Sequence, residues 1–286
     1  MIQHGGELDG SAIPHRSATA SLPHHGPRNR DPSRIPHRLA RALSDLLFPP
    51  RCAICRRGIL SADEHICGEC GVVADRVRFA PACPRCAGAI GPHELVDGRC
   101  AWCRATRIRV HSTVRVGAYE GWLRKLVWAY KFRGREELEP ILAEWLAHAV
   151  IAARWFDEID AVVAVPTHWR HRIVRRCYPA ETLARSVARL TGLPSAPVLR
   201  RLRAGRHQVG LSYEERIKNV RGAFAIRSGV RLDRPSLLLI DDVTTTGATI
   251  EECARVLLDA GAAAVFAGTI ANAGWRPGHA HLLESI

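Results

Sequence analysis

Apolar positions between residues 160 and 270 form short runs separated by helical stripes. DAVVAVP (160–166) is one run, ended by Pro166; LLLI (237–240) and AAAVFAGTI (262–270) are others, and GAFAI (222–226) has the length of a further strand. Between them, PAETLARSVARL (179–190) reads as a helix with Leu183, Val187 and Leu190 inward, and GATIEECARVLLDAG (247–261) as a helix closed by glycine. Upstream, Leu123, Leu126, Val127 and Tyr130 share a face within 122–132. A second helical stretch, about 136 to 156, turns Leu138, Ile141, Leu142, Trp145, Leu146 and Val150 inward. Aromatic residues at these spacings belong to a core. Buried strands alternating with helices of this length predict an α/β fold with a mostly parallel sheet and ligands beyond the strands' carboxyl ends.

Outside that pattern the chain changes character twice. Residues 1–44 are rich in Pro, His, Arg and Ser, with little apolar periodicity, and are expected to be a disordered basic extension. Residues 45–110 carry eight of the ten cysteines, and 111–286 hold the α/β domain. With 47% hydrophobic residues among 286, the chain can bury a real core. No run approaches the roughly 18 apolar residues of a membrane span, and the first residues do not form a secretory signal.

The cysteines form four CxxC pairs: CAIC (52–55), CGEC (67–70), CPRC (83–86) and CAWC (100–103). Eleven residues separate the first two pairs and thirteen the last two. That spacing suits tetrahedral thiolate coordination in a reducing compartment better than disulfides, and places the protein in the cytoplasm. Cys52, Cys55, Cys67 and Cys70 make one foursome and Cys83, Cys86, Cys100 and Cys103 another, although pairs from the two can interleave. Either way one or two structural Zn2+ ions are expected, with no open coordination position. The formal charge of +13 favours polyanionic partners. Arginines around the cysteines, among them Arg57, Arg85 and Arg109, can contact phosphates or simply keep the module soluble.

One segment has the composition of a ligand site. In LLLIDDVTTTGATI (237–250), an apolar run meets Asp241 and Asp242, then a turn rich in hydroxyls. Carboxylates at a strand end accept hydrogen bonds from vicinal hydroxyls and hold hydrated magnesium. Thr245, Thr246 and Thr249 offer hydroxyls, Gly247 allows close backbone approach, and the unpaired N–H groups of a helix start surround a phosphate. Together they describe a clamp for a ribose 5-phosphate. Magnesium held without a sugar is a second reading, and a turn that merely caps the helix a third. A GxxxxGK[ST] loop is absent, because Ala248 follows Gly247.

DDVTTTGAT resembles the diphosphate-sugar motif of the type I phosphoribosyltransferases, and the surrounding chain is similar to their competence protein F (ComF, GntX-like) family. The resemblance runs from LLFPPRCAIC (46–55) through YEGWLRKLVWAYKFRGR (119–135), AVVAVP (161–166), RRCYPAETLA (175–184) and QVGLSYEERIKNVRGAF (208–224), covering about residues 45–270. It implies a double zinc-ribbon module ahead of a type I phosphoribosyltransferase fold that binds phosphoribosyl pyrophosphate with Mg2+. Residues 244–249 (Thr244, Thr245, Thr246, Gly247, Ala248 and Thr249) and Gln208 would hold the sugar phosphate. Asp241, Asp242, Arg170 and Arg175 would serve the reaction, the arginines by gripping pyrophosphate. Arg216 and Asn219 match the closing loop, and Lys131 and Arg133 can reach the cleft. Three positions depart from the family pattern: in RRCYPAE, Arg176 replaces a glycine and Tyr178 an asparagine, and the threonine the family carries a few residues before Gln208 is absent from RAGRHQ. The resemblance also implies a link to DNA uptake, with single-stranded DNA and a competence helicase or other DNA-processing protein as partners. The function it implies is phosphoribosyl transfer; the alternative is a catalytically weak or inactive DNA-processing protein that keeps the fold for binding.

Overall fold

The computed structural model describes residues 49–59, 65–167, 179–203 and 213–273. They fall into two compact units, one running to Arg76 and the other from Val77 onward. In the first, the Cys52 and Cys67 pairs approach each other, and helix α1 (Gly68–Arg78) begins directly after Cys67.

The second unit opens with the other two cysteine pairs and the five-residue helix α2 (Ala101–Ala105). Strand β1 (Thr113–Ala118) follows, then α3 (Gly121–Phe132), α4 (Glu139–Ile151) and β2 (Ala161–Ala164). Helix α5 (Pro179–Thr191) leads to β3 (Leu199–Arg201), α6 (Tyr213–Val220) and β4 (Phe224–Ile226). The chain then forms β5 (Ser236–Thr244), α7 (Ala248–Asp259) and β6 (Ala264–Asn272).

Four strands make a wholly parallel sheet in the order β1-β6-β5-β2. Parallel strands covered on both faces read as continuous apolar runs, and Leu237 to Ile240 are fully buried. This is an α/β unit built on a parallel sheet, accompanied by cysteine-rich ribbons. Among the described residues, no helix is long and apolar enough to cross a membrane.

Three elements and one side chain differ from the sequence expectation: Leu190, read as inward, is exposed near the end of α5. The strand read as 237–240 continues to Thr244, because Asp241, Val243 and Thr244 still pair with Thr269, Ala271 and Asn272 of β6. The helix expected to reach residue 156 stops at Ile151, where Ala153 N–H turns back to the Val150 carbonyl and a short 3-10 turn covers Phe156–Glu158. The 222–226 strand shrinks to β4 and pairs antiparallel with β3 in a separate two-stranded sheet. Trp145 is buried and lies 5.9 Å from the Trp122 ring, as the core assignment of these aromatics requires.

Candidate functional site

The central strand β5 carries the acid pair at its carboxyl end. Its start is fixed by Asp160, whose Oδ2 accepts the Ser236 N–H at 2.8 Å. Neighbouring strand residues point to opposite faces, yet both carboxylates fold back along the chain. Asp241 Oδ1 accepts the Asp242 N–H at 2.9 Å, and Asp242 Oδ1 accepts the Val243 N–H at 2.6 Å. The second oxygen of Asp242 receives Lys131 Nζ at 2.8 Å. Lys131 lies on the last turn of α3, so the helix read as core also delivers a cation to the site.

Electrostatics follow from this crowding. Burial, and then the Asp242 charge, raise the Asp241 carboxyl to about 7, with Lys131 partly offsetting both. For Lys131, desolvation works against the ammonium, but the charges of Asp242 and Asp241 outweigh it and hold its pKa above the ordinary value. Arg201 of β3 is another cation whose charge is felt at Asp241, and burial lowers its own pKa.

Beyond Thr244 the chain turns into α7. Gly247 is the N-cap with φ of +73°, a left-handed conformation that glycine adopts without steric cost. It brings no side-chain cap, while Thr246 Oγ1 accepts the Ala248 N–H at 3.3 Å. An open pocket is lined by Asp241 and residues 243–250. Thr244 Oγ1 is buried with no hydrogen-bond partner among the described residues. Acid, hydroxyls and helix start therefore share one concavity, the arrangement a phosphorylated polyol needs.

The other predicted residues divide. Arg170, Arg175 and Gln208 lie outside the described residues. Arg133 stacks instead on Trp128, its guanidinium 4.5 Å from the centre of that ring. Arg216 is buried on α6 and Asn219 half-buried. Three polar residues had no sequence signal of their own. Arg201 stands near Asp241, Glu251 accepts backbone N–H groups from Arg109 and Val110, and Asn272 donates to the Cys86 carbonyl.

The cysteines resolve into two separate foursomes, Cys52/Cys55/Cys67/Cys70 and Cys83/Cys86/Cys100/Cys103, the Sγ atoms of each within 4.8 Å of one another. Pairs do not interleave. Zinc–sulfur bonds of about 2.3 Å in a tetrahedron set sulfurs about 3.8 Å apart. The separations Cys55–Cys67 (3.6 Å), Cys86–Cys100 (3.7 Å) and Cys83–Cys103 (3.9 Å) match that geometry. Sharing of hydrogen bonds with Cys103 drives the Cys83 thiol far down and the Cys103 thiol far up, so a single ionisation disfavours the next until a cation joins them. Several nearby arginines have structural partners: Arg57 pairs with Glu69 at 2.6 Å, and Arg85 donates to the carbonyls of His111 and Ile108 at 2.9 Å each.

Comparison with known proteins bears on the cysteine module and on the family. The family described as Double zinc ribbon domain matches residues 43–105. The DNA utilization protein YhgH of Salmonella typhi is 33% identical over 230 residues, covering 77% of this chain and 96% of its own length. Competence protein F of Haemophilus influenzae is 25% identical over 73% of this chain and 91% of its own. Among solved structures, purine phosphoribosyltransferase from Pyrococcus horikoshii aligns over 58% of this chain and 83% of its own at 16% identity, with a TM-score of 0.27, too loose to bear on function. The near full-length match to YhgH, together with the paired ribbons and the parallel sheet, shows that this chain belongs to the competence protein F (ComF/YhgH) family.

Proposed function

We propose that this protein serves DNA uptake or DNA use, and that its parallel-sheet unit binds phosphoribosyl pyrophosphate with magnesium at residues 241–249. The observation that carries the ligand reading is the pocket shared by Asp241 and the threonine-rich turn into α7. Asp241 and Asp242 take the ribose hydroxyls; they are also oxygen donors of the kind hydrated magnesium accepts. The N–H groups and threonine hydroxyls of 244–249 take the 5-phosphate. Arg170 and Arg175 take the pyrophosphate, for which guanidinium forks are suited. Magnesium, when bound, neutralises charge on the pyrophosphate. In a transfer, the C1–O bond breaks with its electron pair going to pyrophosphate, a nitrogen forms the new C1 bond, and its proton is released.

Of two outcomes after binding, we favour an interaction protein with weak or no turnover over a fast transferase. The relatives are named for DNA utilization and competence rather than for transfer. Both oxygens of Asp242 are already engaged, and RRCYPAE departs from the family's glycine and asparagine. Single-stranded DNA or a partner helicase is then the macromolecular ligand, drawn by the basic charge. Thiolate sites for zinc in both ribbons support a reducing, cytoplasmic setting. Pyrophosphate release with a panel of bases, run beside single-stranded DNA binding at several salt concentrations, separates the outcomes. DNA binding without release supports the interaction protein; release without DNA binding supports the transferase. Neither one, with no phosphoribosyl pyrophosphate affinity, sinks the proposal.

A further inference from the structure

The second cysteine foursome is attached to both sides of the turn that follows β5. On the strand side, buried Asn272 donates from Nδ2 to the Cys86 carbonyl at 2.9 Å, and its own carbonyl accepts the Tyr119 N–H at 2.9 Å. Asn272 lies opposite Thr244 in the β5–β6 ladder, and the following Ala273 N–H reaches the Thr244 carbonyl at 2.8 Å. Thr244 is the last residue before the turn.

On the helix side, Glu251 stands in the first turn of α7. Its oxygens accept the N–H groups of Arg109 at 2.9 Å and Val110 at 3.2 Å, a few residues beyond Cys103. Arg85, within the Cys83–Cys86 pair, braces the same segment through the carbonyls of Ile108 and His111. The four cysteines pack in one buried cluster with Ile250, Cys253 and Leu257 of α7.

The Glu251 contact has a second effect. A carboxylate in the first turn of a helix is attracted to the same N–H groups that a phosphate needs, and repels the phosphate itself. Bound to the backbone at residues 109–110, this one is kept occupied elsewhere.

We propose that Asn272 and Glu251 are positioning residues through which the metal-loaded second foursome holds the phosphate turn in its binding shape. Four thiolates on one ion fix the backbone at Cys86 and Cys103. Without the ion, the Cys86 carbonyl and the 109–110 amides lose their fixed places, and the ends of β5 and α7 lose their shared support. The ligand side of this inference rests on the pentose-phosphate reading; the mechanical coupling does not.

The experiment compares wild type, Asn272→Ala, Glu251→Gln and a Cys52→Ser/Cys55→Ser control in metal content, amide hydrogen exchange and ribose 5-phosphate affinity. Glutamine supplies one acceptor where glutamate supplies two. Asn272→Ala and Glu251→Gln are expected to keep full metal, to exchange about tenfold faster over residues 243–251 only, and to bind the sugar phosphate about tenfold more weakly. The control loses metal and leaves every residue of the network in place, so its exchange over 243–251 stays at the wild-type rate. A purely structural role would accelerate exchange across the whole sheet and overturns the inference, as does unchanged exchange in both metal-loaded variants. Should Asn272→Ala fail to fold, Glu251→Gln, at a partly exposed side chain, carries the test. If wild type ignores ribose 5-phosphate but the local exchange effect appears, the ligand reading falls and the coupling stands.

Discussion

Lys131 Nζ sits 2.8 Å from Asp242 Oδ2, so the acid pair already holds a cation supplied by another part of the chain. Any cation or hydroxyl arriving at Asp242 competes with that ammonium. In the proposed clamp, a cation bound at Asp242 would displace Lys131 and leave it available to phosphate oxygens.

Replacing Lys131 with methionine should tighten binding of a bare divalent cation by about tenfold, because two crowded carboxylates lose their internal counter-charge. A manganese titration followed by electron paramagnetic resonance reads this directly. Equal affinity in a folded variant would show that Lys131 does not compete.

Asp241→Asn combined with Asp242→Asn should weaken magnesium-dependent binding of phosphoribosyl pyrophosphate by about tenfold or more, about 1.4 kcal/mol. Calorimetric titration of the folded double variant checks it, and undiminished affinity removes the clamp.

Asp241 gives a pH signature. Its carboxyl is raised from an ordinary value of 3.8 to about 7. Between those values the folded protein keeps a proton that the unfolded chain has lost, so stability should fall as pH rises through that window and level off above it. Denaturant midpoints across pH measure the slope, and Asp241→Asn should flatten it. A slope unchanged in that variant would assign the titration to another group.

Gly247 is the most constrained backbone position at the turn. Alanine at φ of +73° should destabilise the protein by about 1 kcal/mol and weaken sugar-phosphate binding as the turn shifts. Thermal melts with and without ribose 5-phosphate separate these effects. A Gly247→Ala protein with native stability and affinity would show that the positive φ is dispensable.

Each foursome can close around one tetrahedral ion, so metal analysis should give close to two zinc per chain. Mutating Cys83 and Cys100 together should remove one of them. Less than about half a zinc per intact chain would contradict thiolate coordination of this kind.

The acid pair, its turn and the cysteine foursomes were legible because their residues lie close together in sequence and each type has a narrow chemical use. Lys131 could be suspected from its place on an amphipathic helix, but only the folded helix shows that it meets Asp242 while Arg133 turns to Trp128. Asn272 and Cys86 are 186 residues apart, and Glu251 lies 142 from Arg109. No local pattern connects such pairs, because the parallel sheet brings them together only once complete. The acids also hid the end of β5: two carboxylates look like the exit from a strand, whereas pairing with β6 carries it to Thr244.

Cys83, Cys86, Cys100 and Cys103 belong to the same buried hydrophobic cluster as Leu237, Leu239 and Val265 of the central sheet. Recombination that swapped both ribbons as a single cassette would tear open that hydrophobic interior. In descent, the second ribbon should therefore be inherited together with the sheet.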